Sequence, residues 1–246
     1  MTHHMSAKTI KSLHQKKHRK ETNRFLVEGG KNVAELLAST YEIEGLYATK
    51  EFKAEHAGLL AKRKIEAHVV DAAELAAFGT LEHNDGALAV AVQKKPETPD
   101  TSAGITLVLD DIRDPGNMGT LIRIADWYGI ANIVCSINCV DWYNPKVIAA
   151  SMGSFTRVSG FYTDLASFLK KQSAPKLGAD LRGTSVHAFA FPKNGILVIG
   201  SESHGISADV AKQLSGKITI PSFGKAESLN AAVAGAIILD RWKSGI

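Results

Sequence analysis

Gly195-Ile-Leu-Val-Ile-Gly-Ser-Glu-Ser-His-Gly-Ile-Ser207 is the stretch that decides the fold class. Its first half is an unbroken apolar run, the signature of a strand buried on both faces, and its second half is a polar, glycine-bounded loop. The pattern recurs on either side. Ile105-Thr-Leu-Val-Leu109, Ile133-Val-Cys135, Val186-His-Ala-Phe-Ala190 and Ile218-Thr-Ile220 read as further strands, alternating with helical stretches, the last predicted from about Ala226 to Lys243. Such alternation predicts an α/β domain with a parallel sheet over residues 104–246.

Working back from that domain, Lys94-Lys-Pro-Glu-Thr-Pro-Asp-Thr-Ser-Ala-Gly104 has two prolines and no apolar period, which predicts a linker at 96–103. Residues 1–95 then form a first, small α/β domain. Short strands are expected at Phe25-Leu-Val27, Gly45–Thr49, Ala67–Val70 and Ala87–Val92, with helices at Asn32–Ser39 and Glu51–Lys64.

The 246 residues are 45% hydrophobic and 22% charged, which excludes a disordered or fibrous chain. The net charge of +4 is mild, but between Lys8 and Arg24 the cations Lys8, Lys11, Lys16, Lys17, Arg19, Lys20 and Arg24 face a single acid, Glu21. That stripe suits a phosphate backbone. A solvated helix face would read the same way. Cys135 and Cys139 are too few for a disulfide framework and lack ligand partners, so neither a metal nor an oxidising compartment is expected. The longest apolar run, Ala231–Leu239, is about half of what a membrane span needs, and no secretory segment follows the start, so a cytoplasmic protein is expected. His3 and His4 are assigned no function.

Three segments carry candidate chemistry, each leaving the C-terminal end of a predicted strand, where open α/β sheets bind ligands. The first, Asp111-Ile-Arg-Asp-Pro-Gly-Asn-Met-Gly-Thr-Leu-Ile-Arg123, enters a helix near Gly119 and sets Asn117 six residues before Arg123. A plain turn capped by Asn117 would fit it too. The second, Gly200–Ser207, fails as a phosphate loop because Ile206 stands where the lysine belongs. It also fails as a nucleophile elbow, because Gly200 is three residues before Ser203 rather than two. A serine hydrolase centred on Ser203 is therefore disfavoured. What remains is a loop with one carboxylate, Glu202, able to approach a ligand by its backbone. The third, Ile218–Asn230, ends a strand at Pro221 and Gly224 and places Ser228 and Asn230 at the start of a helix rich in small residues. His187 in the Val186–Ala190 run reads as structural.

In order and composition these segments resemble the motifs of the SpoU, or TrmH-like, branch of the SPOUT RNA methyltransferases. Asn117-Met-Gly-Thr-Leu-Ile-Arg123 is similar to the first motif, Gly200–Ser207 to the second and Ile220–Asn230 to the third, with Asp141–Ser154 similar to the family between them. Residues 5–95, including Phe25-Leu-Val-Glu-Gly-Gly-Lys31, resemble the ribosomal-protein-like α/β/α substrate-binding domain often joined to that catalytic domain.

The resemblance implies a SPOUT domain with a deep trefoil knot, and transfer of a methyl group from S-adenosylmethionine to a ribose 2′-hydroxyl of ribosomal or transfer RNA, ribosomal RNA being preferred. It implies a homodimer, with active sites assembled across the pair and Ala231–Leu239 in the contact. It carries catalytic roles onto Arg123, Asn117, Glu202, Ser228 and Asn230. Cofactor binding falls to Gly200, Glu202, Gly205, Ile220, Ser222, Ser228 and Leu229. RNA contact is assigned to Lys11, Lys16, Lys17, Arg19, Lys20 and Arg24. The alternative from a different class is a non-catalytic RNA-binding protein that kept the fold.

Overall fold

The computed structural model describes residues 5–80, 83–84 and 86–245; His3 and His4 lie outside them. The chain forms two compact units, one of residues 1–95 and 141–157, the other of residues 96–140 and 158–246. Asp141–Arg157, read from sequence as part of the second domain, thus packs in the first unit.

The first unit runs α1 (Ala7–Ser12), α2 (Lys16–Thr22), β1 (Arg24–Glu28), α3 (Gly30–Ala38), β2 (Ile43–Ala48), α4 (Lys50–Glu55), α5 (Ala57–Arg63), β3 (His68–Val69), α6 (Ala72–Phe78) and β4 (Ala87–Val92). Its sheet has the order β1-β4-β2-β3, with β4 antiparallel to both neighbours and β2 parallel to β3. The single helix expected over Glu51–Lys64 is two helices meeting at His56, which ends α4 and opens α5.

In the second unit β5 (Ile105–Asp110) is followed by α7 (Pro115–Trp127) and β6 (Asn132–Ser136). The chain then enters the first unit for α8 (Pro145–Ser151) and a short 3₁₀ turn, Ser154–Thr156. It returns for β7 (Ser159–Thr163), α9 (Leu165–Lys170), β8 (Lys176–Ser185), β9 (Gly195–Gly200), α10 (Ala208–Ala211), β10 (Gly216–Thr219) and α11 (Ala231–Ser244). All six strands are parallel in the order β10-β8-β9-β5-β6-β7. Every residue of β5 is buried and only the last of β9 is not, which explains their unbroken apolar runs. Val108, Val134, Ile196 and Val198 pack with Leu165, Phe168 and Leu169 of α9 on one face.

Two sequence expectations are corrected here. The strand expected at Val186–Ala190 lies earlier, at Lys176–Ser185, whose outer half is exposed and polar and so lacks an apolar signature. His187 accordingly sits in an exposed turn, its N–H donated to Ser185 Oγ at 3.3 Å. The last helix begins at Ala231 rather than 226, because Asn230 caps it and the preceding loop stays extended.

The inserted segment is bound to the first unit by specific contacts. Ile148 and Phe155 are buried in its core with Phe25, Tyr41 and Leu36. Arg19 is 2% exposed, and its guanidinium donates through Nε and Nη2 to Asp141 Oδ2 at 3.0 and 2.6 Å and through Nη1 to the carbonyls of Leu13 and His14. Arg19 is thus a buried anchor, not a surface cation, because its charge is fully consumed inside the unit. Arg24, half-buried, is bonded to Glu44. Lys11, Lys16, Lys17 and Lys20 are exposed, leaving the lysines to make the basic stripe.

Candidate functional site

The strand order places β5 beside β6 on one side and β9 on the other, so the chain reverses direction across the sheet between β5 and β9. Loops leaving a sheet at such a point diverge and open a crevice. Asp110 ends β5 in register with Gly200 at the end of β9, and both candidate loops start there. Buried Asp110 accepts the N–H of Ser207 at 2.8 Å, tying the far end of the β9 loop back to β5.

The first loop is shaped by its backbone. Asp111 adopts φ 59°, and its N–H is donated to Ser136 Oγ, while the Ile112 N–H reaches Cys139 Sγ at 3.3 Å. Burial pushes the Cys135 thiol up, whereas hydrogen bonding from Cys135, with smaller contributions from Ser136 and Ile112, holds Cys139 down to about 7 despite its burial. Cys139 therefore supports the turn from behind, accepting the Ile112 N–H and donating to the Leu109 carbonyl at 3.3 Å. Asp114 caps α7, its carboxylate accepting the Asn117 N–H at 2.7 Å, and Pro115 opens the helix. The helix therefore starts at Pro115, not near Gly119, and Asn117 is freed from capping to point its amide elsewhere.

That amide meets Glu202. Asn117 Nδ2 donates to Glu202 Oε1 at 2.9 Å, Asn230 Nδ2 donates to the same oxygen at 2.7 Å and to Asn117 Oδ1 at 2.8 Å, and the Ala231 N–H adds a 3.4 Å contact. Asn230 Oδ1 meanwhile accepts the N–H groups of Ala232 and Val233, capping α11. Asn117 in the first turn of α7, Glu202 in the loop after β9 and Asn230 at the cap of α11 thus share one network, and each locks the others' orientation.

The β9 loop turns tightly. Gly205 has φ +65°, which favours glycine, and Ser201 and Gly205 exchange two backbone hydrogen bonds. A Cβ on Gly200 would sit 2.2 Å from the Gly205 carbonyl carbon, so only glycine permits this approach.

Beyond the loop opens a cavity of 810 Å³, lined by all seven residues expected to bind cofactor: Gly200, Glu202, Gly205, Ile220, Ser222, Ser228 and Leu229. Pro221–Leu229 makes no backbone–backbone hydrogen bond among the described residues, and apart from the Gly224 carbonyl, which accepts from Ser222 Oγ at 3.4 Å, its N–H and C=O groups are available to a ligand. Sequence reasoning missed Asp180 and Arg182 in the lining, both on the polar end of β8. The Lys217 ammonium bonded to Asp180 at 2.7 Å, together with the Arg182 N–H, holds that carboxyl below the usual range. Ser228 lines the cavity ahead of α11 and does not join the Glu202 network. Arg123 projects from the exposed face of α7 and has no hydrogen bond or ion pair among the described residues.

A second, smaller cavity of 230 Å³ lies against the same loop and is lined in part by Asp111, Arg113 and Asp114. No group of three or more metal-ligating side chains occurs among the described residues, and no helix there is long and apolar enough to cross a membrane.

Comparison with known proteins agrees with this geometry. The model of the SpoU rRNA Methylase family matches residues 104–240, and that of the MRM3-like substrate binding domain matches residues 5–89. The chain is 30% identical to the 23S rRNA (guanosine(2553)-2′-O)-methyltransferase RlmP of Bacillus subtilis (strain 168), over 94% of this chain and 93% of that protein. A TrmH-family structure from Porphyromonas gingivalis superposes with a TM-score of 0.85 at 33% identity, covering 98% of each chain. An AdoMet-bound rRNA methyltransferase from Sinorhizobium meliloti does so with a TM-score of 0.85 at 26% identity, covering 98% of this chain and 94% of that one.

Proposed function

The chain belongs to the SpoU rRNA Methylase family, and from that premise we propose that it is an S-adenosylmethionine-dependent ribose 2′-O-methyltransferase acting on ribosomal RNA in the cytoplasm. The observation that carries this reading is the Asn117–Glu202–Asn230 network at the edge of the 810 Å³ cavity. A non-catalytic RNA-binding protein has no use for a carboxylate so closely held. The RNA class follows the RlmP relative, whose substrate is 23S rRNA.

The cavity suits the cofactor. Its volume lies within the range of about 300–1,000 Å³ usual for small-molecule sites, and the backbone of Pro221–Leu229, which makes no backbone–backbone hydrogen bond among the described residues, offers the donors and acceptors an adenine edge and a ribose require. S-adenosylmethionine supplies a methyl group already activated on a sulfonium. The protein's task is therefore to align the acceptor oxygen and to ease loss of a proton from a weak acid. Backbone around Gly200, Gly205, Ile220, Ser222 and Leu229 would hold the cofactor, with Ser228 beside it. Glu202 is fixed through Oε1, which leaves Oε2 without a partner among the described residues. Arg123 carries a guanidinium with a pKa above about 12 and is no free base, so it clamps the phosphate next to the target ribose.

Two further features belong to this reading. The segment after β9 and the loop before α11 form a deep trefoil knot, an exception to the usual avoidance of threaded loops. The active unit is a homodimer, in which a second copy covers Ala231–Leu239 of α11; Val233 there is 47% exposed. The lysines of α1 and α2 contact the RNA backbone.

Calorimetric titration with S-adenosylmethionine, followed by transfer of labelled methyl to ribosomal and transfer RNA separately, tests the proposal. One site per chain and label in ribosomal RNA support it. Binding without transfer to either RNA would return the non-catalytic alternative.

A further inference from the structure

The loop Ser201–His204, together with Ala231, lines two cavities, one of 810 Å³ and one of 230 Å³. We propose that the smaller cavity seats the acceptor nucleotide, and that Arg113 and His204 determine which base is accepted. This rests on the methyltransferase reading above.

Three observations support it. A methyl group moves only between atoms in contact, so the acceptor must sit in space adjoining the donor cavity, and this cavity shares Ser201–His204 and Ala231 with it. Its size is below the roughly 300 Å³ of a site for a whole small ligand, which fits one unit of a polymer whose remainder stays outside. Most of the residues lining it carry polar side chains, with Ile112 and Ala231 the apolar ones.

The hydrogen-bonding capacity left over then assigns roles. Arg113 spends only Nε, on Asp111 Oδ1 at 2.7 Å, and its two terminal nitrogens have no partner among the described residues. His204 donates its backbone N–H to Ser201 Oγ at 3.2 Å, while its imidazole has no partner among them. Glu202 Oε2 is likewise unpartnered there, Oε1 being fully engaged. A carboxylate oxygen takes the ribose hydroxyl. A two-pronged guanidinium and an imidazole read paired acceptors on a base edge. Such a seat holds a nucleotide swung out of its strand, as enzymes acting on atoms hidden in a stack require.

The full-length protein, saturated with S-adenosylhomocysteine, is titrated with each of the four 5′-ribonucleoside monophosphates while imidazole proton resonances are followed, His204→Gln assigning the relevant signal. A saturable shift of His204, strongest for one base, is the expected result. In parallel, Arg113→Ala is expected to lower kcat/KM for ribosomal RNA by about 10- to 100-fold, with Arg113→Lys failing to restore it and cofactor affinity unchanged. No His204 shift with any of the four at millimolar concentration, or wild-type kcat/KM in Arg113→Ala, would overturn the proposal. Failure of the cofactor homologue to bind, with the His204 shift intact, would instead remove the methyltransferase reading and leave the nucleotide seat standing.

Discussion

The side-chain amide of Asn230 lies 2.7 Å from the Glu202 carboxylate and 2.8 Å from the Asn117 carbonyl oxygen, while its own oxygen caps α11. One residue thus fixes both a helix terminus and the orientation of a site carboxylate. The two duties separate by mutation. Asn230→Asp keeps a good cap and should hold stability within about 0.5 kcal/mol, yet it sets a second carboxylate against Glu202 and should lower kcat by about 100-fold. Asn230→Ala should lose about 1 kcal/mol as well. Urea unfolding and turnover, measured on the same preparations, distinguish the two.

Arg123 stands free of partners among the described residues, so its removal costs the fold little. Arg123→Lys should unfold within about 0.5 kcal/mol of wild type and bind S-adenosylmethionine normally, while kcat falls about 100-fold because an ammonium cannot replace the planar fork. Near-full turnover in that variant would contradict the phosphate clamp.

Buried Arg19 and the exposed lysines of the same short helix should behave in opposite ways. Asp141→Asn strands the guanidinium in the core of the first unit and should cost about 3 kcal/mol. Changing Lys16, Lys17 and Lys20 together to Gln should leave stability nearly untouched. It should reduce the slope of log affinity against log salt by about 2, at about 0.7 per lost contact with single-stranded RNA.

Asp180 links β8 to β10 through Lys217 and titrates below the ordinary carboxylate value of 3.8. A depressed folded-state pKa means that the contribution is fully present above 3.8 and is lost as pH falls through the lower, folded value. Asp180→Asn should therefore flatten the acid limb of a stability profile below about pH 4 and leave the limb above pH 5 parallel to wild type. Thermal melts across that range would show it.

How much of this was legible in the sequence depended on burial. β5 and β9 announce themselves because nearly every side chain in them is enclosed. β8 was missed because its outer half, Asp180 to Ser185, is polar and open, while the apolar alternation of Val186–Ala190 belongs to a turn that packs Phe189 on Phe191 and Phe191 on Trp242. Asn117, Glu202 and Asn230 were recognisable as motif residues. Their convergence on one oxygen was not, since it depends on the strand order that brings 117, 202 and 230 together. Likewise, nothing local in Arg19 marks it as an anchor: its partner Asp141 is 122 residues away, on a segment that leaves one unit to pack in the other.

Methylation of a ribosomal ribose is read out by a map of 2′-O-methyl groups. Ribosomal RNA from a strain lacking this gene is incubated with the purified protein and S-adenosylmethionine, then scanned for alkali-resistant linkages. One new methylated ribose is expected, present in wild-type RNA and absent when Glu202→Ala replaces the protein. An unchanged map, with the cofactor bound and the protein folded, would contradict it.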